Sequence, residues 1–113
     1  MGRQKISLMP QAEDALGLIG TLIRIRRQEL GWTADSLAKR IGVSERTVLS
    51  IEKGTPSASV GNVFNAAVVV GVELFGEDRH ALARKRRRGE EILGLLPTAV
   101  REVQDDDDEF NRI

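Results

Sequence analysis

The chain has 113 residues, of which 41% are hydrophobic, and its 17 Lys and Arg balance 17 Asp and Glu. This length allows one domain with a hydrophobic core, and the absence of cysteine excludes disulfides and thiolate metal sites. The apolar runs are shorter than the ~20 residues of a membrane span. The first residues also lack the apolar segment of a signal peptide, so we expect a soluble, cytoplasmic protein.

The zero net charge conceals a segregation of charge along the chain. Residues 79–101 carry seven Lys and Arg against two Asp and Glu, whereas residues 102–113 carry one against six. The first of these segments contains five consecutive basic residues, RKRRR, at 84–88. They could contact nucleic-acid phosphates or form an ordinary solvated helix face, and the sequence leaves both interpretations open.

The first predicted helix follows a loose N-terminal arm of residues 1–11 and runs to about Leu30. Its apolar residues recur at roughly helical spacing, and Gly31 supplies a left-handed stop. Gly17 and Gly20 weaken this prediction because glycine lowers helix propensity.

Two short helices joined by a tight turn are predicted next. Thr33 caps the first, which covers 34–41, and Ser44 caps the second, which ends at Gly54. The turn at Gly42 is only a few residues long and holds the helices at a steep angle, as in a helix-turn-helix. In that geometry the second helix enters the major groove of DNA. The inward positions are apolar, as required: Leu37, Ala38, Val43, Val48 and Ile51.

A fourth helix and a charged fifth helix complete the pattern. The fourth begins near Val60 and ends at Gly71; its run AAVVV suits a strand by propensity, but capping and apolar spacing favour a helix. The fifth covers 81–96 and is stopped by Pro97. The sequence therefore predicts an all-α fold of five helices. The expected organisation is an N-terminal arm (1–11), a helix-turn-helix domain (12–78), a charged C-terminal helix (79–97) and a flexible acidic tail (98–113).

The stretch WTADSLAKRIGVSERTVLSIEKGTPSAS resembles the helix-turn-helix of the Xre/Cro-like repressors, and the resemblance covers about residues 22–75. It implies a lambda-repressor-like fold that binds double-stranded operator DNA. It also implies that Arg27 and Glu52 form an ion pair between the first helix and the recognition helix. Ala34 departs from the family, which usually has glutamine there, and the neighbouring Asp35 adds a charge that repels phosphate.

The recognition positions carried over from this resemblance divide into base-reading and phosphate-contacting residues. Arg46 can donate two parallel hydrogen bonds to guanine, and Glu45 can accept one from cytosine. Thr33 lies where a helix N-terminus offers N–H groups to phosphate. Leu49 stands where a small polar residue is common, and it could meet a thymine methyl or cover the second helix. The implied base-reading residues are Ser44, Glu45, Arg46 and Ser50, and the implied phosphate contacts are Thr33, Thr47 and Lys53.

A single module of this kind touches few base pairs, so we expect a homodimer. Two apolar segments are candidates for its surface, and the first could equally belong to the core. The first segment comprises Val68, Val69, Val70, Val72, Leu74 and Phe75, and the second comprises Ile92, Leu93, Leu95 and Leu96.

Two further stretches, SVGNVFNAAVVVGVELF and LLPTAVREVQDDDDEF, are similar to HipB-like antitoxins. This resemblance implies a type II toxin–antitoxin system in which the chain represses its own operon and neutralises a HipA-like serine/threonine kinase toxin. The alternative is a stand-alone phage-type or metabolic repressor with no toxin partner. A weaker alternative is a helical adaptor that does not bind DNA.

Catalysis, cofactors and bound metals are not expected. The sequence has no Gly-rich phosphate loop and no nucleophile with a matching base. His80 is the one histidine, so no multi-histidine site can form, and we expect it on the surface.

Overall fold

The computed structural model of the chain describes residues 7–103, which form five α-helices and no strand beyond one isolated bridge. The prediction of an all-α, five-helix fold is therefore confirmed. The described residues fall into two compact units, the first ending at Arg79 and the second beginning at His80. The helices are α1 (Pro10–Glu29), α2 (Ala34–Ile41), α3 (Glu45–Glu52), α4 (Val60–Val70) and α5 (Arg79–Leu95).

The two outer boundaries differ slightly from those expected. Helix α1 begins at Pro10, inside the arm expected over 1–11, because proline suits the first turn of a helix, where its missing N–H would have no partner. Helix α5 begins two residues before Ala81. Residues 1–6 of the arm and residues 104–113 of the expected acidic tail lie outside the described residues.

The hydrophobic core joins the first four helices. Three of the four residues that α4 contributes to it, Ala66, Ala67 and Val70, follow helical rather than alternating spacing, which explains why AAVVV is helical. Val70 thus belongs to the core, whereas Val68 of the same candidate dimer segment is 62% exposed. The buried core residues are Ile23, Leu37, Ala38, Val48, Ile51, Val63, Ala66, Ala67 and Val70.

The turn between α2 and α3 depends on Gly42, which has a φ of 74°. This left-handed residue ends α2 and lets the Val43 N–H donate to the Ala38 carbonyl oxygen at 3.0 Å. Val43 then packs against the core from beneath the turn. The four-helix unit therefore presents α3 at a fixed angle to α2.

We expect Gly42→Ala to lower the free energy of unfolding by ~1–2 kcal/mol, because an L-residue is disfavoured in the left-handed conformation. A Cβ atom at this position would meet nothing within 4 Å, so backbone strain is the whole effect. Gly42→Asn should lower the free energy of unfolding by less than Gly42→Ala, since asparagine tolerates the left-handed conformation. Urea unfolding of the three proteins measures the difference, and equal stabilities of the alanine variant and the parent would contradict the prediction.

A second glycine permits a close approach between α1 and α3. A Cβ atom on Gly20 would lie 2.5 Å from the Ile51 carbonyl oxygen and 2.7 Å from that of Glu52. The backbone at the end of α3 therefore rests directly on α1. Gly20 lowers helix propensity, but packing requires it at this position.

None of the helices within residues 7–103 is both long enough and apolar enough to cross a membrane.

Candidate nucleic-acid interface

A buried ion pair connects α1 to the end of α3. The Arg27 Nε donates to Glu52 Oε2 at 2.6 Å, and its Nη2 donates to Oε1 at 2.9 Å, so the carboxylate is bound by both arms of the guanidinium. The remaining Nη1 donates to the Trp32 carbonyl oxygen at 2.9 Å. Both residues are only 8% exposed. The pair therefore connects the two helices and the loop before α2 at a single point.

The hydrogen bonds from Arg27 to Glu52 raise the pKa of the guanidinium, and desolvation by burial opposes this only in part. Arginine is already protonated near neutral pH, so the Arg27 guanidinium carries its positive charge there. A buried charge of this kind requires its partner, so the pair makes the position of α3 dependent on Glu52.

The first turn of α3 is held by its own cap. The Ser44 Oγ accepts from the Thr47 N–H at 3.1 Å and lies 2.9 Å from the Thr47 Oγ1. Ser44 is exposed and Thr47 is half-buried. The cap keeps these two hydroxyls together at the end of the helix that points its N–H groups outward.

The outward face of α3 carries side chains without partners in the described chain. Glu45 and Arg46 are exposed, and neither side chain has a hydrogen bond or ion pair within residues 7–103. Lys53, at the other end, is exposed as well. Leu49 lies between them and is 40% exposed. Val48 and Ile51 occupy the opposite face in the core, so α3 divides into an anchored side and a polar side.

A polar groove adjoins this face and has a volume of about 510 Å³. One wall is formed by α3 and the other by the loop after it and the start of α4. The second wall was not predicted from the sequence, although the hydroxyl-rich run TPSAS at 55–59 was a usable signal. The α3 wall consists of Ser44, Arg46, Thr47 and Ser50, and the polar residues of the other wall are Thr55, Ser57, Ser59 and Asn62.

Known proteins share this part of the chain. A helix-turn-helix family profile matches residues 23–75, which include α2, α3, their turn and the buried ion pair. An uncharacterized HTH-type transcriptional regulator from Methanothermobacter thermautotrophicus is 43% identical over 53 residues, which make up 47% of this chain and 77% of that protein. The chain belongs to the helix-turn-helix family.

A second relative extends the match to another organism. The uncharacterized HTH-type transcriptional regulator y4mF from Sinorhizobium fredii is 36% identical over 56 residues, covering 50% of this chain and 74% of the relative. No solved structure matches the chain.

In this helix-turn-helix, α2 and its N-cap carry polar and charged side chains of their own, among them Thr33, Asp35 and Lys39. The Thr33 Oγ1 caps α2 by accepting from the Ser36 N–H at 3.0 Å. The Asp35 carboxylate, expected to repel phosphate, lies 3.1 Å from the Lys39 Nζ, so its charge is locally balanced. Ala34 packs partly against the core.

The Trp32 ring lies 3.9 Å beneath the Arg40 guanidinium, which stacks on its face. This contact fixes the loop that enters the helix-turn-helix and places a positive charge beside the start of α2.

Helix α5 lies outside the residues matched by the family profile. Its basic run is exposed, and two of its arginines are paired along the helix: Arg86 with Glu90 at 3.1 Å and Arg88 with Glu91 at 3.6 Å. His80 is also exposed. Within residues 7–103, no three His, Asp or Glu side chains are grouped so as to hold a metal ion.

Proposed function

We propose that this chain is a sequence-specific DNA-binding transcriptional repressor whose α3 reads operator DNA in the major groove. The observation that carries the proposal is the division of α3. Glu45 and Arg46 are exposed and have no partners among the described residues, whereas Glu52 is locked to α1 by Arg27. A reading helix needs free donors and acceptors on a rigid support.

The proposed roles follow the chemistry of each side chain. Arg46 donates to guanine O6 and N7, Glu45 accepts from a cytosine amine, and Ser44 and Ser50 contact neighbouring base edges. Thr33, Thr47 and Lys53 bind phosphate and set the register of the helix. The hydroxyls of the facing wall, at 55–59, extend the same polar surface.

The decisive experiment compares Arg46→Ala with Lys53→Ala on the selected operator and on random duplex DNA. We expect Arg46→Ala to weaken operator binding by ~1–3 kcal/mol and to relax the preference at one base position. Lys53→Ala should weaken binding to both DNAs alike and reduce the salt slope by about 1. Fluorescence anisotropy over a salt series measures both quantities.

Glu29→Ala serves as a matched control, because Glu29 is exposed on α1, outside the polar surface, and pairs with Arg26 at 2.9 Å. Its affinity for both DNAs should equal that of the parent. Equal losses on operator and random DNA for Arg46→Ala would make Arg46 a phosphate contact. No binding of the parent to duplex DNA at low salt would favour the helical adaptor.

We further propose that the repressor is a homodimer that places two α3 helices one DNA turn apart, ~34 Å. The finer proposal is that it is a HipB-like antitoxin that represses its own operon and neutralises a HipA-like kinase toxin. The support is the resemblance of the valine-rich α4, followed by GVELF, and of the acidic C-terminal sequence to that subgroup. A stand-alone phage-type or metabolic repressor is the alternative.

Co-purification from the native host separates these two proposals. An antitoxin should bring down a kinase, and adding the chain should inhibit that kinase. Deleting residues 102–113 should weaken this capture without changing operator affinity, if the acidic sequence contacts a basic cleft of the toxin. If the shortened chain still captures the kinase, the toxin contact lies outside residues 102–113. If no kinase co-purifies with the full chain, the stand-alone repressor is favoured.

A further inference from the structure

An apolar groove runs between α1 and α4 and encloses about 550 Å³. Of the described residues that line it, Glu73 alone is charged. Exposed apolar surface that continues over two helices is typical of an interaction site rather than of an ordinary solvated face. The walls include Leu16, Leu18 and Leu22 of α1, Val60 and Phe64 of α4, and Phe75 in the turn that follows.

Phe75 stands at the edge of this groove on a strained backbone. Its φ is 57°, a left-handed value that bulky residues rarely adopt. The turn is closed by the Glu77 N–H, which donates to the Leu74 carbonyl oxygen at 3.1 Å. The ring meets Phe64 edge-on, with centroids 6.2 Å apart, yet Phe75 remains 78% exposed. Strain retained without burial suggests that the ring is held for a partner.

A second apolar surface without a partner lies at the end of α5. Ile92, Leu93, Leu95 and Leu96 are 46%, 68%, 86% and 55% exposed. Arg88 precedes Ile92 by four residues and therefore shares its face of the helix. Its pairing with Glu91 spans 3.6 Å on the exposed surface, which leaves Arg88 available to another carboxylate.

We infer that the apolar end of α5 from a second copy of this chain occupies the α1–α4 groove. This inference rests on the proposed homodimer and specifies its surface. In a two-fold symmetric dimer, the α5 of each copy lies in the groove of the other. The same contact is then made twice, and both apolar surfaces of each copy are buried. Charge complementarity supports it: Glu73 is the one charged residue among the described residues that line the groove, and Arg88 lies on the exposed surface of α5 beside Ile92. In the proposed contact, Arg88 of one copy pairs with Glu73 of the other. The wall of the groove on α1, from Ala12 to Leu22, precedes the residues matched by the family profile.

Cross-linking between differently tagged chains tests the inference. The chain has no cysteine, so Phe75→Cys and Leu96→Cys each introduce a single thiol. After the two variants are mixed and treated with a short bismaleimide, we expect a covalent dimer that contains both tags. The double variant with both Phe75→Cys and Leu96→Cys tests the opposite case. If its two thiols are linked within one chain, and the mixed single variants give no dimer that contains both tags, the α5 of the same chain fills the groove and the inference is overturned.

Sedimentation of point variants tests the same contact without a linker. Leu93→Asp should raise the dimer dissociation constant at least about tenfold while leaving the melting temperature of the monomer unchanged. Val68→Asp is the matched control, since Val68 is similarly exposed on α4 but does not line the groove, and its dimer should be as tight as the parent. Dissociation by Val68→Asp and not by Leu93→Asp would overturn the inference.

Charge exchange identifies the groove as the receiving surface. Glu73→Arg and Arg88→Glu should each weaken the dimer, and their combination should restore it. Failure of the combination to recover any affinity would contradict the assigned contact. Operator binding is measured in a separate assay, with Arg46 unchanged in every variant. A failure of the chain to bind DNA would therefore not alter the measured dimer dissociation constants. A monomeric parent would overturn the dimer and its surface while leaving DNA binding untouched.

Discussion

Glu52→Ala is expected to lower the free energy of unfolding by ~3–5 kcal/mol, because it leaves the Arg27 guanidinium buried without its counter-charge. Arg27 loses two of its three hydrogen bonds and keeps only the one to the Trp32 carbonyl oxygen. A loss of this size is a large fraction of the stability of a small domain. Denaturant unfolding followed by circular dichroism measures it.

Two controls separate the buried pair from charge in general. Glu52→Gln keeps an acceptor for one arm of Arg27 and should fall between the parent and the alanine variant. Glu90→Ala removes an exposed partner, that of Arg86, and should change stability by no more than ~0.5 kcal/mol. If Glu52→Ala and Glu90→Ala lower the free energy of unfolding by similar amounts, the buried Arg27 pair contributes no more to stability than an exposed pair.

The pKa of Arg27 adds a condition on pH. The pKa of Arg27 is higher in the folded state than in the unfolded state. The contribution of the ion pair to the free energy of unfolding is therefore fully present below the unfolded pKa, and it is lost only as the pH rises through the folded pKa. We therefore expect the stability difference between the parent and Glu52→Ala to be the same at about pH 6 and pH 9. A difference that halves over this interval would contradict the assigned role of the guanidinium.

Gly20→Ala and Gly17→Ala should shift stability in opposite directions, although the sites are one helical turn apart. A Cβ atom on Gly20 would collide with the Ile51 and Glu52 backbone, so α1 and α3 must separate, which we expect to cost ~1–3 kcal/mol. A Cβ atom on Gly17 would meet nothing within 4 Å, so alanine should stabilise α1 by ~0.5–1 kcal/mol through helix propensity.

The two glycine variants should thus differ by roughly 1.5–4 kcal/mol in unfolding free energy. Gly20→Ala should also weaken operator binding if α3 shifts, whereas Gly17→Ala should leave it unchanged. Equal effects of the two substitutions would show that α1 and α3 can move apart freely, against the close approach seen at Gly20.

Capping residues and apolar spacing predicted the two short helices from the sequence, but they did not by themselves distinguish a DNA-binding helix from an ordinary solvated one. The apolar positions Leu37 and Ala38, the tight turn at Gly42 and the resemblance to known repressors indicated the helix-turn-helix. Thr33, Ser44 and Gly42 act within a few residues of their own helix ends, so their structural effects are local and readable. The pairing of Arg27 with Glu52 came from the resemblance, because nothing local connects residues 25 positions apart.

Other features could not be read because they depend on packing between distant segments. Gly20 appeared only as a weak point of α1, since its contact with the end of α3 requires both helices in place. Val68 and Val70 look alike in the sequence, yet one is exposed and the other buried, according to the face of α4 that meets the core. The hydroxyl content of residues 55–59 is visible in the sequence, but their position opposite α3 depends on how the loop folds.

The position of Trp32 has a spectroscopic consequence. The chain has one tryptophan and no tyrosine, so its intrinsic emission arises from a single indole. That indole lies under the Arg40 guanidinium, and the backbone carbonyl oxygen of Trp32 accepts a hydrogen bond from Arg27. The emission of this ring therefore reports, without any label, whether the junction of α1, α2 and α3 is intact while the protein is diluted, heated or mixed with DNA.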